Sequence, residues 1–188
     1  MKHRWSGVGS WCAIVLLLMS AGLNALQARR IRELVAPSSR QTAQVGKMAP
    51  ALTGLTLSGQ LQTIRFNDRE PTVIYFFSPG CRWCEQNWAN VRALSSASEG
   101  RFRLVAVAAE SNLRDFARAR DLNFEILENV SADTLKAFGL AATPHTLVIS
   151  SQGQISHEWA GAFQGRRQRA IEAFFEVRLP GLLGPAKP

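Results

Sequence analysis

The fold is decided by the stretch VIYFFSPGCRWC at residues 73–84. Its first five residues are apolar β-formers, so residues 73–77 are predicted to form a central strand that is buried on both faces. Ser-Pro-Gly at residues 78–80 ends that strand, and a helix is predicted from Cys84 onward. The cysteines at 81 and 84 therefore stand at the carboxyl end of a strand, where reactive loops of open α/β sheets collect.

The rest of the chain alternates strand and helix patterns around this stretch. Further strands are predicted at residues 55–57, 61–64, 104–108, 124–127, 146–149 and 155–159. Helices are predicted at residues 84–98, 112–120, 131–138 and 166–178, with Asn112 as a cap candidate for the second. This order predicts an α/β domain with a central mixed β-sheet flanked by helices.

Cys81 and Cys84 form the only paired cysteine motif in the sequence. Two intervening residues at a helix start bring the sulfurs within reach of a reversible disulfide. Unpaired N–H groups, the helix dipole and the cation of Arg82 favour a thiolate at Cys81, the expected exposed nucleophile. Cys84, one turn further in, is expected to resolve the mixed disulfide and release the substrate.

Two other uses of the cysteine pair fit the sequence less well. A permanent structural disulfide would close too small a loop to stabilise the fold much. A zinc site needs about four ligands, and scattered His145 and His157 do not supply them by spacing. We therefore expect neither a metal nor another cofactor.

Thr143-Pro144 immediately precedes the strand predicted at residues 146–149. Proline at a strand start is compatible with ordinary edge structure. Together with the cysteine pair, it indicates a cis proline beside the disulfide that positions a substrate chain by strand addition. His145 follows, and two alternatives stay open: a protonated imidazole that favours the thiolate, or a hydrogen-bonded histidine at a strand end.

The N-terminal region contains an uncharged run at residues 7–26, and twenty helical residues span about 30 Å, the thickness of a hydrocarbon core. A retained anchor is favoured over a cleaved signal peptide, because Leu23 and Leu26 occupy positions where a cleavage site needs small residues. Cys12 is interpreted as a small apolar residue of this run. The expected organisation is a cytoplasmic N-terminus at 1–6, a transmembrane anchor at 7–26, a tether at 27–45, the domain at 46–178 and a flexible tail at 179–188.

The net charge of +8 comes largely from the flanks of the apolar run. Five basic residues and no acid precede residue 33: Lys2, Arg4, Arg29, Arg30 and Arg32. From Glu33 onward 22 − 5 = 17 basic residues face 14 acidic ones, a balance of +3. This distribution indicates membrane topology and headgroup contact, and with no basic, aromatic patch it argues against nucleic-acid binding.

Residues 46–175 resemble the thioredoxin superfamily, and more closely its membrane-anchored TlpA/ResA-like branch, which is related to the AhpC/TSA redoxins. The segments that carry the resemblance are Gly-Lys-Met-Ala-Pro at 46–50, Ser-Gly at 58–59, residues 75–84, Phe-Gly-Leu at 138–140, and residues 143–149 with Gly153. The resemblance implies a thioredoxin-like fold. It also implies an extracytoplasmic dithiol that passes electrons to or from partner proteins.

The sequence departs from that family at several positions near the cysteines. Gly80 replaces the usual tryptophan, and Asn87 and Ala89 stand where this branch often has a glutamate and a proline. The strand at 73–77 also lacks the buried acid of cytoplasmic thioredoxins, so the usual proton acceptor for the second cysteine is missing. The nearest acids are expected to be solvated charges rather than catalytic groups: Glu85 and Glu110.

The sequence therefore predicts an enzyme, a thiol–disulfide oxidoreductase that acts on protein disulfides and dithiols as a reductant, with a membrane electron donor as a further partner. It is expected in the inner membrane as a single-pass protein whose domain faces the periplasm. The residues expected to modulate the pair are Arg82, Trp83, Glu85 and His145. Two alternatives remain: a copper-handling protein that uses both cysteines and His145, and a thiol peroxidase with Ser78 as its hydroxyl group.

Overall fold

The N-terminal helix α1 comprises Ser6–Val35 in the computed structural model, which describes residues 6–35, 44–66, 70–98 and 100–183. Its window Trp11–Ala28 has a mean hydropathy of 1.7 and is long and apolar enough to cross a membrane. A signal sequence near the N-terminus has the same length and composition. This helix therefore fits a single-pass membrane segment or a signal anchor.

The helix α1 continues over residues 27–35, which the sequence analysis assigned to the tether. These residues begin with Gln27, Ala28 and Arg29, which are good helix formers, so the end of the apolar run does not end the helix. The other parts of the predicted N-terminus and tether, at residues 1–5 and 36–43, lie outside the described residues.

The part of the chain described after α1 contains a seven-stranded sheet in the order β2-β1-β5-β4-β3-β6-β7. Its strands are β1 (Leu52–Thr56), β2 (Leu61–Ile64), β3 (Thr72–Phe76), β4 (Arg103–Val107), β5 (Glu125–Glu128), β6 (His145–Ile149) and β7 (Ile155–Ala160). The three central strands β5, β4 and β3 are parallel, while β1 with β2 and β6 with β7 add antiparallel pairs on either side. The mixed sheet is thus the one that the sequence predicts.

Helices cover both faces of this sheet, and alternate residues of β3 supply both cores. Tyr75 and Phe77 belong to one apolar group, the α2 cluster, with residues of α2 (Arg82–Ser96), α3 (Arg114–Ala119) and α5 (Gly165–Phe175). Ile74 and Phe76 belong to the other, the α4 cluster, with residues of α4 (Ala132–Ala137). Every residue of β3 is buried, as the continuous apolar run predicts for a central strand.

Two helix ends differ from the sequence prediction. Asn112 does not cap α3; its φ of 62° is left-handed, and the helix begins at Arg114. The N–H of Leu113 instead donates to the Glu128 carboxylate at 2.6 Å, a contact across 15 residues that local sequence does not reveal. The final helix ends at Phe175 because Glu176 is left-handed, with a φ of 53°.

The start of the predicted flexible tail is fixed to the domain. Leu179 is buried, the N–H of Gly181 donates to Asn90 Oδ1 at 2.8 Å, and the N–H of Leu183 donates to the carbonyl of Gln86 at 2.8 Å. Residues 179–183 therefore lie against α2. The remainder of the predicted tail, residues 184–188, is outside the described residues.

Candidate active site

The cysteine pair lies at the N-terminus of α2, directly after β3. A turn follows the strand, in which the N–H of Cys81 donates to the carbonyl of Ser78 at 3.1 Å. Cys81 is itself the N-cap residue of α2, with extended φ and ψ of −82° and 110°, and its Sγ accepts the N–H of Cys84 at 3.2 Å. The first cysteine thus takes the place of the serine or aspartate that usually caps a helix.

The two sulfurs have different environments. Both cysteines are free thiols, but Cys81 is half-buried whereas Cys84 is only 1% exposed. The disulfide of a partner protein can therefore reach the sulfur of Cys81 but not that of Cys84. This asymmetry is what a dithiol needs if one sulfur attacks a substrate and the other reacts only within the protein.

Burial, and then a hydrogen bond to Cys81, raise the pKa of the Cys84 thiol to about 12. Two groups oppose this shift: a backbone hydrogen bond from Ser78 and a side-chain hydrogen bond from Thr143. Cys84 is therefore a protonated thiol at neutral pH, held beside donors that favour its thiolate.

Thr143 and Pro144 lie beside the cysteines, as their spacing from Cys81 predicts. The Thr143–Pro144 peptide bond is cis, and the Thr143 hydroxyl is hydrogen-bonded to Cys84. The carbonyl of Pro144 accepts the N–H of Gly161 at 2.7 Å within the domain. The loop thus brings one hydroxyl group directly to the buried sulfur.

The residues between and after the cysteines lie at the surface. Arg82 is exposed, and Trp83 is 49% exposed although it is large and apolar. Glu85 forms an ion pair with Arg120 at 2.7 Å, with about half of the glutamate side chain exposed. Trp83 is thus free to meet a partner protein, whereas Glu85 is a surface charge.

The two further sequence candidates near the loop bind each other. The Ser78 hydroxyl donates to the Glu110 carboxylate at 2.5 Å, and Glu110 is exposed. Glu110 is therefore a surface acid, as the sequence analysis expected. The hydrogen of the Ser78 hydroxyl is committed to this bond rather than to a cysteine sulfur.

His145 lies on the other side of the sheet from Cys84. It pairs with Phe76 of the α4 cluster, and its buried Nε2 lies 2.9 Å from Glu158 Oε1. Burial, then the charge of Arg167, lowers the pKa of His145 to about 4, so the imidazole is neutral at neutral pH. His145 is thus the hydrogen-bonded histidine at a strand end, and not a protonated imidazole beside the cysteines.

This placement also bears on the copper alternative. Within residues 6–35, 44–66, 70–98 and 100–183, no three histidine, cysteine or acidic side chains form a group that could hold a metal ion. The proposed third ligand, His145, belongs to the opposite sheet face. The two sulfurs therefore lack the partner that the copper hypothesis assigned to them.

The structure adds a polar network that the sequence analysis did not identify. The side chains of Tyr75, Asn87 and Asn90 are at most 1% exposed and are joined by hydrogen bonds beside Cys84. From the sequence, Asn87 is known only as the residue that stands where this branch often has a glutamate. A signal was nevertheless available: Tyr75 is the single tyrosine of the chain, and its hydroxyl is the one polar side-chain group in the run at residues 73–77.

Comparisons with known proteins agree with this geometry. The model of the AhpC/TSA family matches residues 45–158, which is more than half of the 188-residue chain. The chain is 26% identical over 157 residues to the thioredoxin-like protein YneN of Bacillus subtilis, covering 77% of this chain and 86% of that protein. It is 23% identical over 147 residues to the thiol-disulfide oxidoreductase ResA of Halalkalibacterium halodurans, covering 76% and 82%.

Solved structures share the fold of the domain. The C-terminal domain of a putative thiol-disulfide oxidoreductase from Bacteroides thetaiotaomicron superposes with a TM-score of 0.58 at 16% identity, over 70% of this chain and 96% of that one. A putative protein disulfide isomerase from the same organism gives a TM-score of 0.60 at 15% identity, over 70% and 87%. The fold is therefore thioredoxin-like.

Proposed function

The chain belongs to the AhpC/TSA family, and on that premise we propose that it is a thioredoxin-like thiol–disulfide oxidoreductase. Its Cys81–Cys84 pair exchanges with disulfides and dithiols of partner proteins outside the cytoplasm, mainly as a reductant. The observation that carries the proposal is the unequal burial of two free thiols at the N-terminus of α2. The thiol–disulfide oxidoreductase among its relatives supports the same activity.

The reaction proceeds through a mixed disulfide. The Cys81 thiolate attacks one sulfur of a partner disulfide, the partner S–S bond breaks, and the first partner thiolate leaves with its electron pair. The Cys84 sulfur then attacks Cys81, the mixed disulfide breaks, and the second partner thiolate leaves. The Cys84 proton passes to that thiolate, so two electrons move from the dithiol to the partner.

The partner docks where the exposed surface meets the cis-proline loop. Trp83 offers an exposed apolar contact close to Cys81 in the chain, and the loop with Thr143 and Pro144 reaches Cys84. An extended partner segment placed along this loop pairs with its backbone as an added strand does. Arg82 adds a positive charge at the same edge.

The reductant role is supported by the environment of the sulfurs. Dithiols whose thiolates are strongly stabilised are oxidants, because their reduced form is favoured. Burial instead raises the pKa of Cys84 to about 12, and the neutral imidazole of His145 lies on the opposite face of the sheet. We therefore place this protein among the reducing members of its fold, with α1 holding it near a membrane electron donor on the periplasmic side of the inner membrane.

The test is the reduction potential of the full chain in detergent micelles, equilibrated against dithiothreitol and glutathione. We expect a reversible two-electron couple near that of thioredoxin, about −270 mV. A couple near about −120 mV would identify an oxidant instead.

The controls use all three cysteines of the chain. Cys12→Ser should retain the couple and the disulfide reductase activity, because Cys12 lies in α1. The double variant Cys81→Ser, Cys84→Ser should lose both. Retained reductase activity in that double variant, or rapid turnover with hydroperoxide by the wild type, would contradict the proposal and favour a different use of the cysteines.

A further inference from the structure

The buried polar network beside Cys84 contains no acid among the described residues. Its side chains are Tyr75, Asn87 and Asn90, on β3 and α2. Phenol and amide groups do not accept a proton from a thiol as a carboxylate does. The question is therefore which way the hydrogen bonds of this network point.

The orientation of Asn87 is fixed by a backbone group. The N–H of Phe163 lies 3.1 Å from Asn87 Oδ1 and can only donate, so the amide oxygen faces it. The amide nitrogen then faces Tyr75 and donates to its phenol oxygen at 3.1 Å. Tyr75 is thus the acceptor in this bond, and its own hydrogen remains available.

Asn90 confirms the same direction independently. The N–H of Gly181 donates to Asn90 Oδ1 at 2.8 Å, which fixes the second amide. Asn90 Nδ2 therefore donates to Asn87 Oδ1 at 2.9 Å and to the carbonyl of Phe163 at 3.3 Å. Two backbone N–H groups, those of Phe163 and Gly181, thus set the direction of the hydrogen bonds in the whole network.

Among the described residues, the hydrogen bond of the Tyr75 phenol is the one that it accepts from Asn87, which leaves its own hydrogen unused. Tyr75 and Cys84 belong to the same buried α2 cluster, and the charge of Cys84 acts on the phenol. Resting on the function proposed above, we propose that Tyr75 is a catalytic hydrogen-bond donor to the Cys84 sulfur, and that Asn87 is the positioning residue that aims it. This donor lies on the strand in which cytoplasmic thioredoxins carry a buried acid.

Tyr75 acts as a donor and not as a base. Burial raises the pKa of its phenol well above 10, and the nearby Cys84 raises it further, so the phenol keeps its proton. As Cys84 attacks Cys81, its own proton goes to the departing partner thiolate, and Tyr75 stabilises the negative charge that forms on the Cys84 sulfur. The Tyr75 proton is in place before and after the step.

The experiment follows one reduction cycle of the full chain in micelles by rapid mixing with a disulfide substrate, and resolves mixed-disulfide formation from its resolution. Tyr75→Phe should leave formation unchanged, since Cys81 carries it. It should slow resolution by about tenfold, the lower end for a hydrogen bond to a charged group. Thr72→Val is the matched control: it removes a buried hydroxyl from the same strand, on the face of the α4 cluster, and should resolve at the wild-type rate.

A second measurement keeps Tyr75 in place and does not depend on turnover. Tyr75 is the only tyrosine, so ring-labelled tyrosine gives a single carbon resonance by NMR. In Cys81→Ser this resonance should shift as Cys84 ionises, and Cys84→Ala should abolish that shift. The inference would be overturned if the Tyr75 resonance did not change as Cys84 ionises, or if Tyr75→Phe resolved the mixed disulfide at the wild-type rate. Absence of any mixed disulfide in the wild type would instead defeat the proposed function.

Discussion

At the scale of single residues, Cys84 is subject to opposing effects. Burial, and then the hydrogen bond to Cys81, favour its protonated thiol. The backbone of Ser78 and the hydroxyl of Thr143 favour the thiolate. Because burial prevails, the thiolate of Cys84 exists only briefly during turnover, and the groups around the sulfur determine how readily it forms.

A prediction about alkylation follows from this balance. In the variant Cys12→Ser, Cys81→Ser, the rate of Cys84 alkylation by iodoacetamide should increase with a midpoint well above pH 9, the ordinary thiol value. The pKa of Cys84 is shifted upward because burial disfavours the charged thiolate, so the thiol stays protonated to higher pH. Alkylation is measured by mass spectrometry at each pH, with circular dichroism to show that the fold persists; a midpoint at pH 9 or below would contradict the assignment.

Among the site residues, those with a local signature were readable from the sequence. Cys81 and Cys84 can be identified by their spacing, and Pro144 can be identified by its position before a predicted strand. The network around Tyr75 could not be read in this way. Asn87 is 12 residues from Tyr75 and 76 from Phe163 in the chain, and only tertiary packing brings these groups together. The side of the sheet on which His145 lies also depends on strand register, which the sequence left open.

At the scale of elements, the strands agree with their predicted positions to within three residues at either end. Their β-branched and aromatic runs are buried between two helical layers, so pattern and environment coincide. The helix ends agree less well. Asn112 is a residue type that often caps helices, but its φ is left-handed. The carboxylate of Glu128 already accepts the N–H of Leu113 at the start of α3, so the Asn112 side chain is not needed there.

Helix α4 offers a test at this scale. The hydroxyl of its N-cap Ser131 accepts the N–H of Thr134 at 3.2 Å. Ser131→Ala should lower the free energy of unfolding by about 1 kcal/mol, since an N-terminal N–H then loses its acceptor. Ser96→Ala, at an exposed position in the last turn of α2, is the control and should change it little. Urea unfolding of both variants measures the difference, and equal midpoints would show that the cap contributes nothing.

At the scale of the whole molecule, the chain divides into two compact units, Met1–Arg40 and Gln41–Pro188. The second unit contains both apolar clusters and the cysteine pair. It therefore has its own core, as an independently stable domain requires. The first unit contains the apolar helix α1.

The division into two units predicts that the redox chemistry and the membrane binding can be separated. A fragment that begins at Gln41 should keep the reduction potential of the full chain, since the sulfurs and all their described neighbours lie within it. It should also stay in the aqueous phase when mixed with lipid vesicles, whereas the full chain partitions into the vesicles through Trp11–Ala28. Flotation of both proteins measures the partition; a fragment with an altered potential would show that α1 contributes to the chemistry.

The contact between Gly181 and Asn90 has a consequence for biosynthesis. Ribosomes build the chain from Met1 onward, so the cysteines and Tyr75 emerge long before Gly181, which fixes the second amide. A nascent chain stalled before this residue holds the dithiol with Asn87 fixed by Phe163, but without the group that fixes Asn90. Completion of the hydrogen-bond network around Cys84 therefore waits until Gly181 has been synthesised. A C-terminal truncation or a fusion that displaces residues 179–183 should yield a folded protein in which Asn90 lacks this donor.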